Sequence, residues 1–295
     1  MMDWSKAKNI LIVAFIITNI LLIYNIEKDH FNQEDFVVFS EEHINNVQNY
    51  LMESNIYLLT PISREIKSLP TLTVKYKEFS PNEVAEKFLG DGYEVQGTNA
   101  QESVYTLGEK QLKVEGRKRI TYYDLEKSHQ GRPLSDEEMI AKSQAFLREY
   151  GLLEENIVLE QIYFGTVKLF GSNPVYQLIY RQTYQEHFLG ESYINVYANQ
   201  YGIIGVEAML LEQEKTSEQK KKIIPATEAL LRRMDEMVYD HRGEEIFITD
   251  IEVGYYFNPE DINVPVENIY SGTAFPTWRI TLDNGRIYYV EAYKN

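Results

Sequence analysis

The sequence predicts an α+β protein, an N-terminal transmembrane helix followed by repeated helix-plus-antiparallel-meander modules. Three observations predict it. A long apolar run, Ile10 to Ile26, lies next to the N-terminus. Helix-start signals recur near residues 80, 135 and 225. Each is followed by stretches that alternate apolar and polar residues, the period of a half-buried strand.

The apolar run ILIVAFIITNILLIYNI contains only Thr18, Asn19 and Asn25 as polar members besides the amphipathic Tyr24. Its length is the short end of a membrane span, and Lys8 and Asn9 can extend it by reaching toward the headgroups. A buried soluble helix is rarely apolar on every face at a chain terminus. A cleaved signal peptide needs small residues before the cut, and Tyr24-Asn25-Ile26-Glu27 offers none. A retained anchor over 9–26 is therefore expected. Lys6 and Lys8 precede it, whereas Glu27 and Asp29 follow. The positive-inside rule puts residues 1–8 in the cytoplasm and 27–295 outside the cell membrane. Along the anchor, Ile12, Phe15, Asn19, Leu22 and Ile26 share one face and form a candidate contact with a partner helix. An amide near mid-span prefers a hydrogen bond on another helix, worth about 0.6–2 kcal/mol. The competing reading is that Asn19 tolerates lipid or bonds to its own backbone.

The exterior starts with a helix from about Glu41 to Ser54, capped by Ser40 and carrying Ile44, Val47 and Leu51 on one face. Short strands are expected at Asn55–Leu59 and Thr71–Tyr76. Ser80-Pro81-Asn82-Glu83 starts a second helix that ends at Gly90. Strands follow at 103–107, 110–115 and 119–124. The polar stretch Glu126–Pro133 reads as a linker, dividing the exterior into domains at 27–130 and 131–295. Ser135-Asp136-Glu137-Glu138 is a capping box opening a third helix to Tyr150. Strands are expected at 158–168, 174–186, 191–198 and 203–212. Pro225-Ala226-Thr227-Glu228 begins a fourth helix, to about Tyr239. Strands at 245–256, 277–282 and 286–293 complete the chain, the last two joined by Asn284-Gly285, a favoured hairpin turn. Twenty-three tyrosines suit such sheets, with rings half-buried and hydroxyls at the surface.

The net charge is −16; residues 1–26, with Asp3, Lys6 and Lys8, sum to +1, so the rest of the chain carries −17. That field repels a phosphate backbone, so no nucleic acid is expected as partner. There is no cysteine, which removes disulfides, thiolate nucleophiles and thiolate metal sites. Five histidines lie at least 13 residues apart, with no H-x-x-x-H zinc spacing, and read as surface residues. Nucleophile-elbow, S-x-x-K, phosphate-loop, dinucleotide and calcium-loop motifs are all missing. No catalytic, cofactor-binding or metal residues are expected. Carboxylates such as Asp124, Glu186 and Glu191 leave an anchored wall-polymer hydrolase as one alternative, although solvated strand-edge charges explain them as well. Asp235, Glu236 and Asp240 read as a solvated helix face. A ligand-binding sensor module is a further alternative.

The start Met2-Asp3-Trp4-Ser5-Lys6-Ala7-Lys8, running directly into the apolar helix, resembles that of the YycI (WalI) family. The single anchor, the size, the cysteine-free exterior and the ending Arg286-Ile287-Tyr288-Tyr289-Val290-Glu291 resemble it too. An additional Met1 precedes the shared start. The resemblance implies a non-enzymatic accessory protein of the WalK (YycG) sensor histidine kinase, which governs cell-wall metabolism. It implies a membrane complex with that kinase and a YycH-like protein, with much of the contact made by transmembrane helices, and it implies no cofactor.

Overall fold

The computed structural model describes residues 15, 18, 19, 40–65, 67–99, 101–124, 134–170, 174–199 and 202–293. Most of the expected anchor, including Ile12, Leu22 and Ile26, lies outside the described residues. Among the described residues no helix is long and apolar enough to cross a membrane.

In chain order the elements are α1 (Glu41–Glu53), β1 (Ile56–Leu58), β2 (Ser68–Leu69), β3 (Leu72–Tyr76) and α2 (Pro81–Leu89). Then come β4 (Glu94–Thr98), β5 (Glu102–Leu107), β6 (Lys110–Glu115), β7 (Arg119–Asp124) and α3 (Asp136–Glu149). They are followed by β8 (Ile157–Thr166), β9 (Pro174–Tyr184), β10 (His187–Gly190), β11 (Tyr193–Asn199), β12 (Gly202–Met209), β13 (Leu211–Thr216) and β14 (Lys221–Lys222). Last are α4 (Ala226–His241), β15 (Ile246–Tyr256), β16 (Ser271–Leu282) and β17 (Ile287–Glu291).

Local chemistry explains the helix starts. Ser40 Oγ accepts from His43 N–H at 3.2 Å. Ser135 and Glu138 form the complete reciprocal capping box. Pro81 and Pro225 sit where a missing N–H does no harm. At the end of α4, Arg242 takes the left-handed conformation and Gly243 follows with φ +87°.

The expected meanders form, and they fuse. The first meander, β4 to β7, joins the second through β7–β12, where Tyr122 pairs with Val206. The second runs β8, β9, β11, β12. Helices α2 and α3 share one core over this sheet, with Ala85, Phe88, Met139 and Leu147 packed against Tyr105, Leu112, Val196 and Val206. A second core gathers α1 and α4 over β1, β15, β16 and β17, through Leu51, Ile56, Leu230, Ile248 and Ile280. A third, with Leu72, Val74, Leu211, Tyr255 and Phe257, fills the junction. All the strands except β2 and β14 belong to a single 15-stranded sheet.

Two features differ from the expected pattern of antiparallel modules. The sheet is mixed: β1 and β10 both pair with β15 in parallel. And α1–β1, from the N-terminal part of the sheet-forming chain, packs into the core of the C-terminal strands, with Ile56 opposite Ile246. The expected boundary between 27–130 and 131–295 lies outside the described residues, and both larger cores draw residues from either side of it. The physical reason is burial: β1 is too short to shield its own apolar residues and finds cover only at the edge of β15.

Candidate functional site

The candidate site is the polar joint between the α2/α3 side and the α1/α4 side. Strand β10 makes it. After the tight turn Gln185-Glu186, both with positive φ, β10 pairs antiparallel with β9, Phe188 opposite Thr183. It then leaves β9 and pairs with β15, Gly190 opposite Tyr256. The strand expected at 191–198 starts instead at Tyr193, because Glu191-Ser192 form the corner after β10. That corner is held by Ser192 Oγ, which donates to the Leu189 carbonyl at 2.6 Å.

Polar side chains tie the joint from several elements. The buried Gln182 acts as a surrogate strand: its amide donates to Leu211 O at 2.6 Å and accepts from Leu211 N–H at 3.0 Å. His187 Nδ1–H donates to Val253 O at 2.9 Å. Lys118, only 7% exposed, donates through Nζ to Val266 O at 3.0 Å and Ile269 O at 2.6 Å. The same ammonium lies 4.9 Å from the ring centres of Tyr76 and of Tyr270. Burial pushes the Lys118 pKa down, against the pull of Glu267 and Glu191.

Two ionic clusters flank this joint. In one, Tyr76 Oη donates to Glu191 Oε1 at 3.2 Å. Burial raises the Glu191 carboxyl above its ordinary range, while Tyr76, Arg119 and Lys118 oppose the shift and Glu260 adds to it. Next to it, Tyr193 and Tyr197 donate to Glu207 at 3.1 and 3.3 Å, and Arg119 pairs with Glu207 at 3.6 Å. In the other cluster, the buried Arg279 of β16 bonds Glu160 of β8 and Glu252 of β15. Arg181 of β9 joins Glu252 at 2.7 Å and Glu160 at 3.5 Å. The Arg279 guanidinium also lies 4.9 Å from the Phe188 ring centre. Burial alone would lower the Arg279 pKa; its bonds to Glu160 and Glu252 outweigh that and raise it. Asp250, nearby, is raised by burial and then by Glu252. A groove of ≈ 290 Å³ opens beside the joint, with Ile223, Ile251 and Trp278 buried in its wall, His187 half-buried, and Lys67 and Glu186 exposed.

The three carboxylates singled out in the sequence do not form one catalytic arrangement. Asp124 is buried at the end of β7 and influences Tyr150 at the end of α3, Glu186 is exposed in a turn, and Glu191 faces Tyr76. Asp240 is not the solvated charge expected, because it accepts from Tyr288 at 2.9 Å and also bonds Arg286, tying α4 to β17. His187 is half-buried in the joint rather than on the surface. His30 and His129 lie outside the described residues. Among the described residues no group of His, Asp and Glu could hold a metal ion. Of the candidate helix face, Phe15 is exposed, and the Asn19 amide nitrogen donates to the Phe15 carbonyl at 2.9 Å. Sequence reading missed Lys118, Arg181, Glu252 and Arg279. Arg279 and Glu252 did carry a signal, a charge inside an apolar strand, in Thr277-Trp278-Arg279-Ile280 and Ile251-Glu252-Val253. Lys118 carried none, being one of three consecutive basic residues in a turn.

An extended mixed sheet with helices packed over its cores defines an α+β fold. The family described as YycI protein matches residues 36–293, nearly the whole chain, and the chain belongs to the YycI family. That family is one of regulatory accessory proteins of the YycG (WalK) two-component system. The fold is also similar to the crystal structure of an uncharacterized protein from Eubacterium rectale ATCC 33656. That likeness has a TM-score of 0.54 at 11% identity and covers 85% of this chain and 97% of the other. No curated protein matches the chain.

Proposed function

We propose that this chain is a membrane-anchored modulator of the YycG (WalK) kinase, working from the outer face of the membrane beside a YycH-like partner. The observation that carries the reading is the YycI match over residues 36–293. The apolar run at 9–26, with lysines before it and acidic residues after it, supports the anchor and its orientation. A sensor kinase changes state through its own membrane helices. A partner helix that packs better against one state shifts the population by its differential affinity and by nothing else. The contact face is Ile12, Phe15, Asn19, Leu22 and Ile26. The Asn19 amide nitrogen uses one of its two N–H groups on Phe15, which leaves the second N–H and the side-chain oxygen to a neighbouring helix. The exterior pairs with the exterior of the YycH-like protein.

The test is affinity purification from native membranes of the full chain, of a version with an unrelated anchor, and of a Phe15→Ala, Asn19→Ala double variant. Recovery of the kinase and the YycH-like protein with the native helix, and its loss in the other two, is the expected result. Equal recovery from all three would remove the helix from the mechanism. Recovery from none would remove the complex.

A further inference from the structure

The groove beside the joint is built to take apolar side chains. Its floor is Ile223, Ile251 and Trp278, all buried. Trp278 spends its indole N–H on the Ile224 carbonyl at 2.9 Å, so it has no polar group left for the groove. The volume of ≈ 290 Å³ falls just short of the roughly 300–1,000 Å³ of small-molecule pockets. One acceptor stands at the side: His187 donates Nδ1–H to Val253, which leaves Nε2 of the neutral ring to accept a hydrogen bond. The near rim is Ser63, Glu65 and Lys67. Lys67 and the neighbouring Lys220, Lys221 and Lys222, brought beside it by the β2–β14 pairing, make no ion pair among the described residues. The start of α1 lies at the same place. Glu41 pairs at 3.6 Å with Arg64, which sits between the rim residues Ser63 and Glu65. Ile44 of α1 and Ile62 belong to the same core as the groove floor.

Immediately before α1 the chain reads Glu34-Asp35-Phe36-Val37-Val38-Phe39-Ser40. Phe36–Phe39 lies outside the described residues. Its composition, β-branched and aromatic throughout, is that of a buried strand. We propose that this apolar tetrad is the occupant of the groove. Phe36–Phe39 runs extended along the Ser63–Lys67 rim, with alternate side chains over Ile223, Ile251 and Trp278, and His187 Nε2 accepts one of its backbone N–H groups. The tether favours this segment: four residues back from Ser40 reach roughly 14 Å, and Glu41 is already paired with the rim. In one chain the tetrad has an effective concentration on the order of millimolar. Charge favours it too. Glu34 and Asp35 precede the tetrad and meet Lys67 and the 220–222 lysines, while the uncharged tetrad itself passes Glu65 and Glu186 without repulsion. The YycI match begins at residue 36, so it includes the tetrad and leaves out 27–35. One consequence rests on the membrane anchor of the proposed function. Docking leaves only residues 27–35 between membrane and exterior, ~30 Å of extended chain, and release adds ~14 Å. The groove then sets how far the exterior stands from the membrane.

The chain has no cysteine, so an introduced pair supplies its only thiols. In the full chain in detergent, Val37→Cys and Val38→Cys are each combined with Ser63→Cys and treated with a short bis-maleimide. The faster of the two should crosslink within one chain about tenfold faster than the same thiol combined with Asp91→Cys, just after α2. Hydrogen exchange then compares the wild type with a Phe36→Ser, Val37→Ser, Val38→Ser, Phe39→Ser variant. Exchange should rise along the 63–67 rim and at Ile251–Val253, and stay unchanged at Leu112 and Val114 of β6. A synthetic peptide of residues 34–40, added to the serine variant, should restore the lost protection. No advantage over the Asp91→Cys pair, crosslinks formed only between two chains, or wild-type exchange in the serine variant each overturns the docking. Neither measurement involves the kinase or the YycH-like protein, so failure of the docking and loss of that complex are told apart.

Discussion

Lys118 is the residue on which the joint depends most at the scale of single side chains. Its stem is buried, its ammonium serves Val266 and Ile269, and two tyrosine rings cover it. Lys118→Met keeps the stem and removes both bonds; Val266 O keeps the Ile269 N–H at 3.2 Å, so the buried Ile269 carbonyl is the acceptor that loses its donor. The expected loss is about 1–3 kcal/mol, because an unsatisfied buried acceptor carries its full desolvation penalty. Urea unfolding reads it directly, and an unchanged midpoint would show that water replaces the ammonium without loss. Arg279 illustrates the other kind of buried charge. Its net contribution is small, since its ion pairs mainly offset the desolvation of the three partners, yet removing Arg279 alone would leave Glu160 and Glu252 opposed only by Arg181. None of these partnerships was legible in the sequence. A lysine in a turn, a glutamate in a strand and a glycine at a corner have no mark that says which distant residue they will meet.

At the scale of elements, local signals were read correctly where the physics is local. The capping box at Ser135, the strands β5, β6 and β7, and the Asn284-Gly285 hairpin follow from contiguous residues, since hydrogen-bond capping, period-two alternation and turn dihedrals need nothing further. The strand β10 was hidden inside what reads as a turn, Thr183–Gly190, because its pairing partner is β15 rather than its sequence neighbour alone. The first half of β16 was missed for a similar reason: Pro276 interrupts the strand pattern, and Ser271–Ala274 is a strand only because β3 lies beside it. The β10–β15 contact also makes a prediction. A Cβ on Gly254 would lie 2.3 Å from the Phe188 ring and 2.5 Å from the Phe188 carbonyl. Gly254→Ala should therefore destabilise by about 1–3 kcal/mol, the usual range for overpacking, whereas Gly202→Ala meets nothing within 4 Å and should be close to neutral. Thermal melting of the two variants side by side would decide it; equal melting points would mean that β10 gives way freely.

Across the whole molecule, the tyrosines set the alkaline limit of stability. Tyr76, Tyr193, Tyr197 and Tyr255 are all raised above 10.0, chiefly by burial, and Tyr256 and Tyr288 are raised to about 12. A phenol raised in the folded state contributes stability that is full below pH 10 and lost as pH rises through the folded value. Stability should hold up to about pH 10 and then fall steeply, with loss of far-ultraviolet circular dichroism accompanied by a jump in tyrosinate absorbance. Since Tyr50, Tyr163, Tyr239 and Tyr270 are exposed, only complete tyrosinate formation in a still-folded chain would contradict the burial assigned to these rings. The YycI membership places this scaffold in a regulatory family, and one sheet runs through both sides of the molecule. The sequence by itself determined the α+β class, the starts of all four described helices, most hairpins, the acidic cysteine-free surface and the resemblance to YycI. Each of these is a property of neighbouring residues or of composition. Only the tertiary structure decided that α1–β1 completes the C-terminal core, that two meanders fuse through β7 and β12, and that β10 crosses to β15. Those pairings join residues far apart in the chain, and what selects them is the burial left unfinished by each element, which exists only once the other elements are in place.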